Sequence, residues 1–122
     1  MTSLLVSDDV IRARLQRDLP CWSLKNGALE RHYQTQGWKA TLMVVNAIGH
    51  LAEAAWHHPD LQVSYPGVTV RLSTHDASGI TEKDFALAQA IEQLIMWRPA
   101  APLEGTPQDP AYAYISYDSS AS

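Results

Sequence analysis

Three histidines and three carboxylates occur at spacings that could support acid–base chemistry. They stand at the end of one predicted helix, at the end of one predicted strand and at the start of another predicted helix: Glu53, His57, His58, His75, Asp76 and Asp84. Histidine titrates near neutral pH, so a group of histidines can divide the giving and the taking of a proton. We therefore predict that these residues converge on a functional site.

The two adjacent histidines, His57 and His58, directly precede Pro59, where the predicted helix must end. Adjacent side chains point in different directions, so the pair could hold opposite edges of a flat ligand. Glu53 precedes His57 by one helical turn and is predicted to orient that ring. A second interpretation stays open, because Glu53 could be a solvated helix residue and Asp84 could serve only a capping box.

Zinc is the alternative use of such a histidine cluster. His50 lies close in sequence to His57 and His58, and His75 follows further on. This spacing does not match a compact metal motif, and the single cysteine, Cys21, does not complete one. We therefore predict no metal site.

The elements that must position the cluster follow from periodicity and turn residues. Apolar residues at helical spacing predict three helices, and alternating apolar residues predict two hairpins turned at Asn26-Gly27 and Pro66-Gly67. The predicted helices run over 8–19, from 38 to about 56, and from the capping box at Thr81 to about 97. Trp38 is expected to lie in the core. The order α-β-β-α-β-β-α predicts an α+β fold, with a largely antiparallel four-stranded sheet and helices on one face.

A different composition begins after the last helix. Residues 98–122 hold four of the seven prolines and three of the five tyrosines. We therefore predict a domain over 1–97 and a Pro/Tyr-rich tail over 98–122. The tail's apolar character suggests that Tyr112, Tyr114 and Tyr117 dock on this subunit or contact a partner, while 118–122 is expected to fray.

The overall composition excludes several classes of function. The chain has 122 residues, 46% hydrophobic and 18% charged, which is typical of one globular domain. A net charge of −4 without a basic run argues against nucleic acid or an anionic membrane as partner. One cysteine and no signal-like start predict a cytoplasmic protein without disulfides. A small domain with open sheet edges predicts a homodimer or homotetramer.

The spaced motifs together resemble the pterin-4a-carbinolamine dehydratase family. The matching residues are Glu53-x-x-x-His57-His58-Pro59, then Tyr65, then Leu72-Ser73-Thr74-His75, then Gly79-Ile80-Thr81 and Lys83-Asp84-Phe85. The resemblance covers roughly 22–94 and is specific, because several motifs agree at once. It implies a hydro-lyase that recycles oxidised pterin cofactor, 4a-hydroxytetrahydrobiopterin dehydratase, working without a metal or other cofactor.

The resemblance also implies roles for individual residues. His57 and His75 would be the acid/base pair, His58 would bind and polarise the pterin, and Asp84 would orient a histidine. The pterin would be held by Glu53 and Asp76 and by the backbone of Ser73 and Thr74. Which histidine is the acid and which the base stays open.

Two further segments resemble a particular branch of this family, the one associated with α-carboxysomes. They are the run from Leu51 through Trp56-His57-His58 to Leu61, and the tail from Leu103 to Asp118. Members of that branch act as RuBisCO assembly factors with weak or no dehydratase activity. The resemblance therefore implies a RuBisCO assembly factor or chaperone, associated with the carboxysome, with the histidines vestigial and the tail tyrosines as partner contacts. The alternative is an active dehydratase.

Overall fold

A computed structural model describes residues 4–117 of the chain. Its helices and strands are α1 Asp8–Asp18, β1 Ser23–Lys25, β2 Ala28–Gln34, α2 Trp38–Ala55, β3 Asp60–Ser64, β4 Gly67–Leu72 and α3 Glu82–Ile95. Short 3-10 helices occur at His75–Ala77 and Pro110–Tyr112. Within residues 4–117, no helix is long and apolar enough to cross a membrane. The predicted order of elements is confirmed.

The four strands form one antiparallel sheet in the order β1-β2-β4-β3. The first hairpin turns at Asn26 and Gly27, whose φ values of 50° and 78° are those that an Asn-Gly turn supplies at low cost. The three helices pack against one face of this sheet, so the predicted α+β class is confirmed. β1 and β3 are the two edge strands.

The core lies between this sheet and the helices. Alternation places Leu29 and Tyr33 of β2 beside Val68, Val70 and Leu72 of β4 on the helix side, all at most 1% exposed. The helices cover them with apolar side chains from α1, α2 and α3: Ile11, Leu15, Val44, Ile48, Phe85, Leu87, Ala88, Ile91 and Ile95. The opposite face of the sheet carries polar pairs such as Glu30 with Arg71.

The prediction that Trp38 lies in the core is wrong, because 49% of its surface is exposed. The buried face of α2 instead contains Thr41, Val44, Ile48 and Ala52. Thr41 can lie on the buried face because its hydroxyl donates a hydrogen bond to the carbonyl oxygen of Tyr65 at 2.8 Å. A buried hydroxyl with a hydrogen bond can replace an apolar contact, which a pattern of apolar residues does not reveal.

A half-buried carboxylate joins α3 to β2 and to the chain before β1. Glu92 Oε1 accepts hydrogen bonds from the Trp22 indole, the Arg31 guanidinium and the Tyr33 hydroxyl at 2.7 to 2.9 Å. Burial opposes the charged form of Glu92, but these donors hold its pKa below the ordinary value. Burial first, and then the hydrogen bond to Glu92, raise the pKa of Tyr33. The network fixes α3 against the sheet, and α3 begins at the functional site.

The tail returns to the sheet and docks beside the end of β2. Gln36 donates its backbone N–H to the Tyr114 carbonyl, Ser116 donates to the Gln34 carbonyl, and Ile115 is 1% exposed. These bonds lie past the end of the short strand β1, which pairs only with residues 28–30 of β2. The tail tyrosines differ: Tyr114 and Tyr117 pack partly against the core, whereas Tyr112 is 71% exposed. The predicted fraying of 118–122 concerns residues outside the described ones.

Candidate active site

The end of α2 determines where the two adjacent histidines lie. Trp56 has the left-handed angles φ 53° and ψ 46°, and the following N–H, that of His57, bonds the Ala52 carbonyl at 3.1 Å. With the Trp56 N–H to Glu53 carbonyl bond, this is the Schellman helix end. The left-handed residue turns the chain off the helix axis, so His57 and His58 leave the surface of α2. A side chain at such a position costs about 1–2 kcal/mol relative to glycine.

One buried carboxylate organises the start of α3. Asp84 is fully buried, and its Oδ2 accepts the Thr81 backbone N–H at 2.9 Å, which completes the capping box predicted there. The same oxygen accepts the Thr74 hydroxyl at 2.8 Å, and Thr74 Oγ1 lies 2.8 Å from Thr81 Oγ1. Asp84 therefore ties the end of the second hairpin to the start of α3.

The other oxygen of Asp84 points at the histidine pair. His57 Nε2 lies 2.6 Å from Asp84 Oδ1, and the His57 side chain is only 14% exposed. An ionised carboxylate only accepts hydrogen bonds, so opposite ionised Asp84 the imidazole donates from Nε2. In that tautomer a neutral His57 ring has its lone pair on Nδ1. Asp84 thus has both roles that the sequence left open, helix cap and partner of a histidine.

The prediction that Glu53 orients His57 is wrong. Glu53 Oε1 lies 2.6 Å from Nε2 of His58, not from His57. Side chains four residues apart meet only when both lie in the helix. The left-handed turn at Trp56 ends α2 before His57, so the His57 ring does not lie beside Glu53. The indole of Trp56 also meets the His58 ring edge to face, with ring centres 5.1 Å apart and planes at 83°. His58 is therefore held from two sides.

The loop after β4 carries the third histidine. His75 and Asp76 open the 3-10 helix and are exposed. Thr74 anchors this loop, since its backbone N–H donates to the Gly79 carbonyl at 2.8 Å and its side chain is buried against Asp84. These bonds already use the amide of Thr74 that was predicted to hold a ligand, and Ser73 beside it is half-buried.

The three histidines converge on one pocket of about 330 Å³. Its lining residues come from the end of α2, the start of β3, the 3-10 helix and the start of α3: Trp56, His57, His58, Pro59, Asp60, His75, Asp76 and Lys83. Asp84 and Glu53 contact two of the lining histidines without lining the pocket themselves, and Ser73 and Thr74 do not line it either. Sequence reasoning gave no role to Asp60 or Lys83, although Asp60 directly follows Pro59 and Lys83 belongs to the recognised Lys83-Asp84-Phe85 motif.

The partners of the pocket's histidines determine what chemistry they can perform. Across the described range 4–117, no three histidine, cysteine or acidic side chains come together as a possible metal site. Two of the pocket's imidazoles each have a carboxylate oxygen 2.6 Å from Nε2, which favours the tautomer that donates from Nε2 and leaves Nδ1 for a ligand. The pocket thus contains one imidazole bonded to a buried carboxylate, two exposed imidazoles and the exposed indole of Trp56.

Comparison with known proteins identifies the family. The family described as "Pterin 4 alpha carbinolamine dehydratase" matches residues 5–94. The chain belongs to the pterin-4a-carbinolamine dehydratase family. This confirms the family that the histidine motifs indicated, while the RuBisCO assembly branch is a finer assignment that these matches do not show.

Individual relatives are similar over the same region. A protein of Aquifex aeolicus bearing the name pterin-4-alpha-carbinolamine dehydratase is 44% identical over 90 residues, 74% of this chain and 90% of its own length. A protein of the same name from Picosynechococcus is 42% identical over 89 residues, 73% of this chain and 96% of its own. The alignments span nearly all of those relatives but only three quarters of this chain. The tail lies outside the family match.

A solved structure supports the fold. The crystal structure of a transcriptional coactivator/pterin dehydratase from Brucella melitensis superimposes with a TM-score of 0.69, covering 75% of this chain and 98% of that one. Its sequence identity is 24%, so the similarity is evidence for the fold alone.

Proposed function

We propose that this protein binds a reduced pterin in the histidine pocket and removes water from its 4a-hydroxy form. One observation carries the proposal: the partly buried His57 bonds the buried Asp84 and faces a pocket that also holds His58 and His75. Family members bind pterin substrates, and the matched region contains every residue of this pocket.

The dehydration needs a base at N5 of the pterin and an acid at the hydroxyl of C4a. Asp84 stabilises the positive charge that His57 acquires on accepting a proton, so we assign His57 as the base that takes the N5 proton. The exposed His75 is then the acid that protonates the leaving hydroxyl. The C4a–O bond breaks, the N5 electron pair forms a double bond to C4a, and water and a quinonoid dihydropterin are released.

The remaining predicted residues would act in binding. His58, held by Glu53, polarises the pterin, and Asp76 on the pocket wall accepts hydrogen bonds from ring N–H groups. Ser73 would offer its backbone to the pterin edge, and Thr74 would act through Asp84. No group outside the chain is needed for this proton transfer.

Replacing the acid should stop the reaction without unfolding the chain. We expect His75→Ala to lower the catalysed dehydration rate about 10²-fold or more, because general acid catalysis contributes this much. The measurement is stopped-flow absorbance of 4a-hydroxytetrahydropterin decay. His50→Ala is the matched control, because His50 is an exposed histidine of α2 outside the pocket lining, and it should keep the wild-type rate. A His75→Ala rate equal to wild type would refute the assignment.

A second candidate function is assembly of RuBisCO, in the cytoplasm and at the carboxysome, with weak or no dehydratase activity. The tail favours it, because this segment lies beyond the family match yet is held on the domain by Ile115. The docked tail leaves two large apolar side chains in solvent, Leu103 at 66% and Tyr112 at 71% exposed. Exposed apolar residues on an anchored segment are suited to contact a protein partner, with the half-buried Tyr114 and Tyr117 as further contacts.

Copurification with the cognate RuBisCO tests the assembly function. We expect tagged wild-type protein to retain RuBisCO and the double variant Leu103→Ala/Tyr112→Ala to lose it, because these are the exposed apolar groups of the tail. Val10→Ala is the control, an equally apolar exposed residue on α1. Failure of the wild-type protein to retain RuBisCO, or equal retention by the double variant, would argue against this function.

We also propose that the protein is a homodimer or homotetramer. Apolar side chains remain exposed along α2 and the edge strand β3: Trp38, Leu42, Met43 and Val63. An open strand edge beside apolar residues favours association with a second copy. Light scattering should give a mass of two or four chains, and Val63→Lys should shift it towards one chain. A wild-type mass of a single chain would contradict the proposal.

A further inference from the structure

The residue that ends α2 does not suit its backbone conformation. Trp56 occupies the left-handed position of the Schellman helix end, where glycine is usual and asparagine is the common substitute. In this conformation the Cβ of any other residue lies close to the following carbonyl oxygen. The turn itself therefore gives no reason for tryptophan at this position.

Packing gives no reason either. Trp56 is 76% exposed, in contrast to Trp22, which is 4% exposed and bonds Glu92. A bulky side chain that is both strained and exposed destabilises the isolated fold, and such residues persist mainly at functional sites. Trp56 also lines the histidine pocket, so its side chain is placed where a bound ligand would contact it.

We propose that Trp56 is the stacking wall of this pocket and selects fused two-ring nitrogen heterocycles that present a flat conjugated face. The indole would lie against the flat face of the ring, while the histidines contact its edges. The inference rests on the proposed function, since the dihydropterin formed by dehydration presents such a face. It adds a residue that determines ligand affinity rather than proton transfer.

The contact between Trp56 and His58 gives the wall a second effect. The two rings meet edge to face, and Glu53 Oε1 lies 2.6 Å from Nε2 of His58. A ligand that stacks on the indole therefore meets a histidine already held in one orientation. Such preorganisation lowers the entropy lost on binding.

Calorimetric titration of the full chain with 7,8-dihydrobiopterin tests the proposal. We expect Trp56→Asn to weaken binding roughly 10- to 100-fold, the range typical of the loss of one stacking contact. Trp56→Phe, which keeps an aromatic face, should retain most of the affinity. Trp97→Asn is the matched control, an exposed tryptophan outside the pocket, and should bind like wild type.

The same variants separate ligand binding from stability. Trp56→Asn should raise the melting temperature by roughly 2–5 °C, because asparagine tolerates the left-handed conformation. Unchanged or tighter binding by Trp56→Asn, with wild type also binding, would overturn the stacking role alone and leave the proposed function standing. Absence of binding by wild type would overturn both. An unchanged melting temperature in Trp56→Asn would contradict the strain on which the inference depends.

Discussion

The carboxylate of Asp84 is the constraint on which the site depends. One of its oxygens closes the start of α3 and holds Thr74 at the end of β4, and the other holds His57. A fully buried carboxylate without these partners would be too costly to remain charged. The same bonds that make the charge tolerable also bring the chain after α2, the loop after β4 and the start of α3 to one point. Folding and the geometry of the site are therefore not separable here.

Around that point the chain combines rigid and strained elements. α3 is fixed at its far end by the Glu92 network with Trp22, Arg31 and Tyr33, so its first turn is held in place. α2 ends in the left-handed Trp56, which releases the two histidines in different directions. A rigid frame beside a strained pocket residue is expected of a site that is complete before its ligand arrives.

Much of this could be predicted from the sequence, and the failures have physical causes. Turn residues such as Asn26-Gly27, the Thr81 capping box and the histidine motifs are local signals, so element order, sheet class and the family were within reach. The hydrogen-bond partner of Glu53 could not be predicted, because it depends on the left-handed backbone conformation of Trp56. The exposure of Trp38 could not be predicted, because the buried hydroxyl of Thr41 on α2 replaced an apolar contact. The apolar character of the tail predicted that it docks, but three-dimensional information was needed to show that Ile115 packs in the core while Tyr112 stays exposed.

The most direct test of this account is the state of the His57 ring in solution. A long-range proton–nitrogen spectrum of the histidines should show a proton held on Nε2 of His57, slow to exchange because Asp84 accepts it within the protein. The signal should disappear in Asp84→Asn and stay in Asp109→Asn, a carboxylate of the tail. If the His57 ring instead gives averaged signals like those of exposed His50, and Asp84→Asn changes nothing, the pair does not exist in solution and the account is wrong.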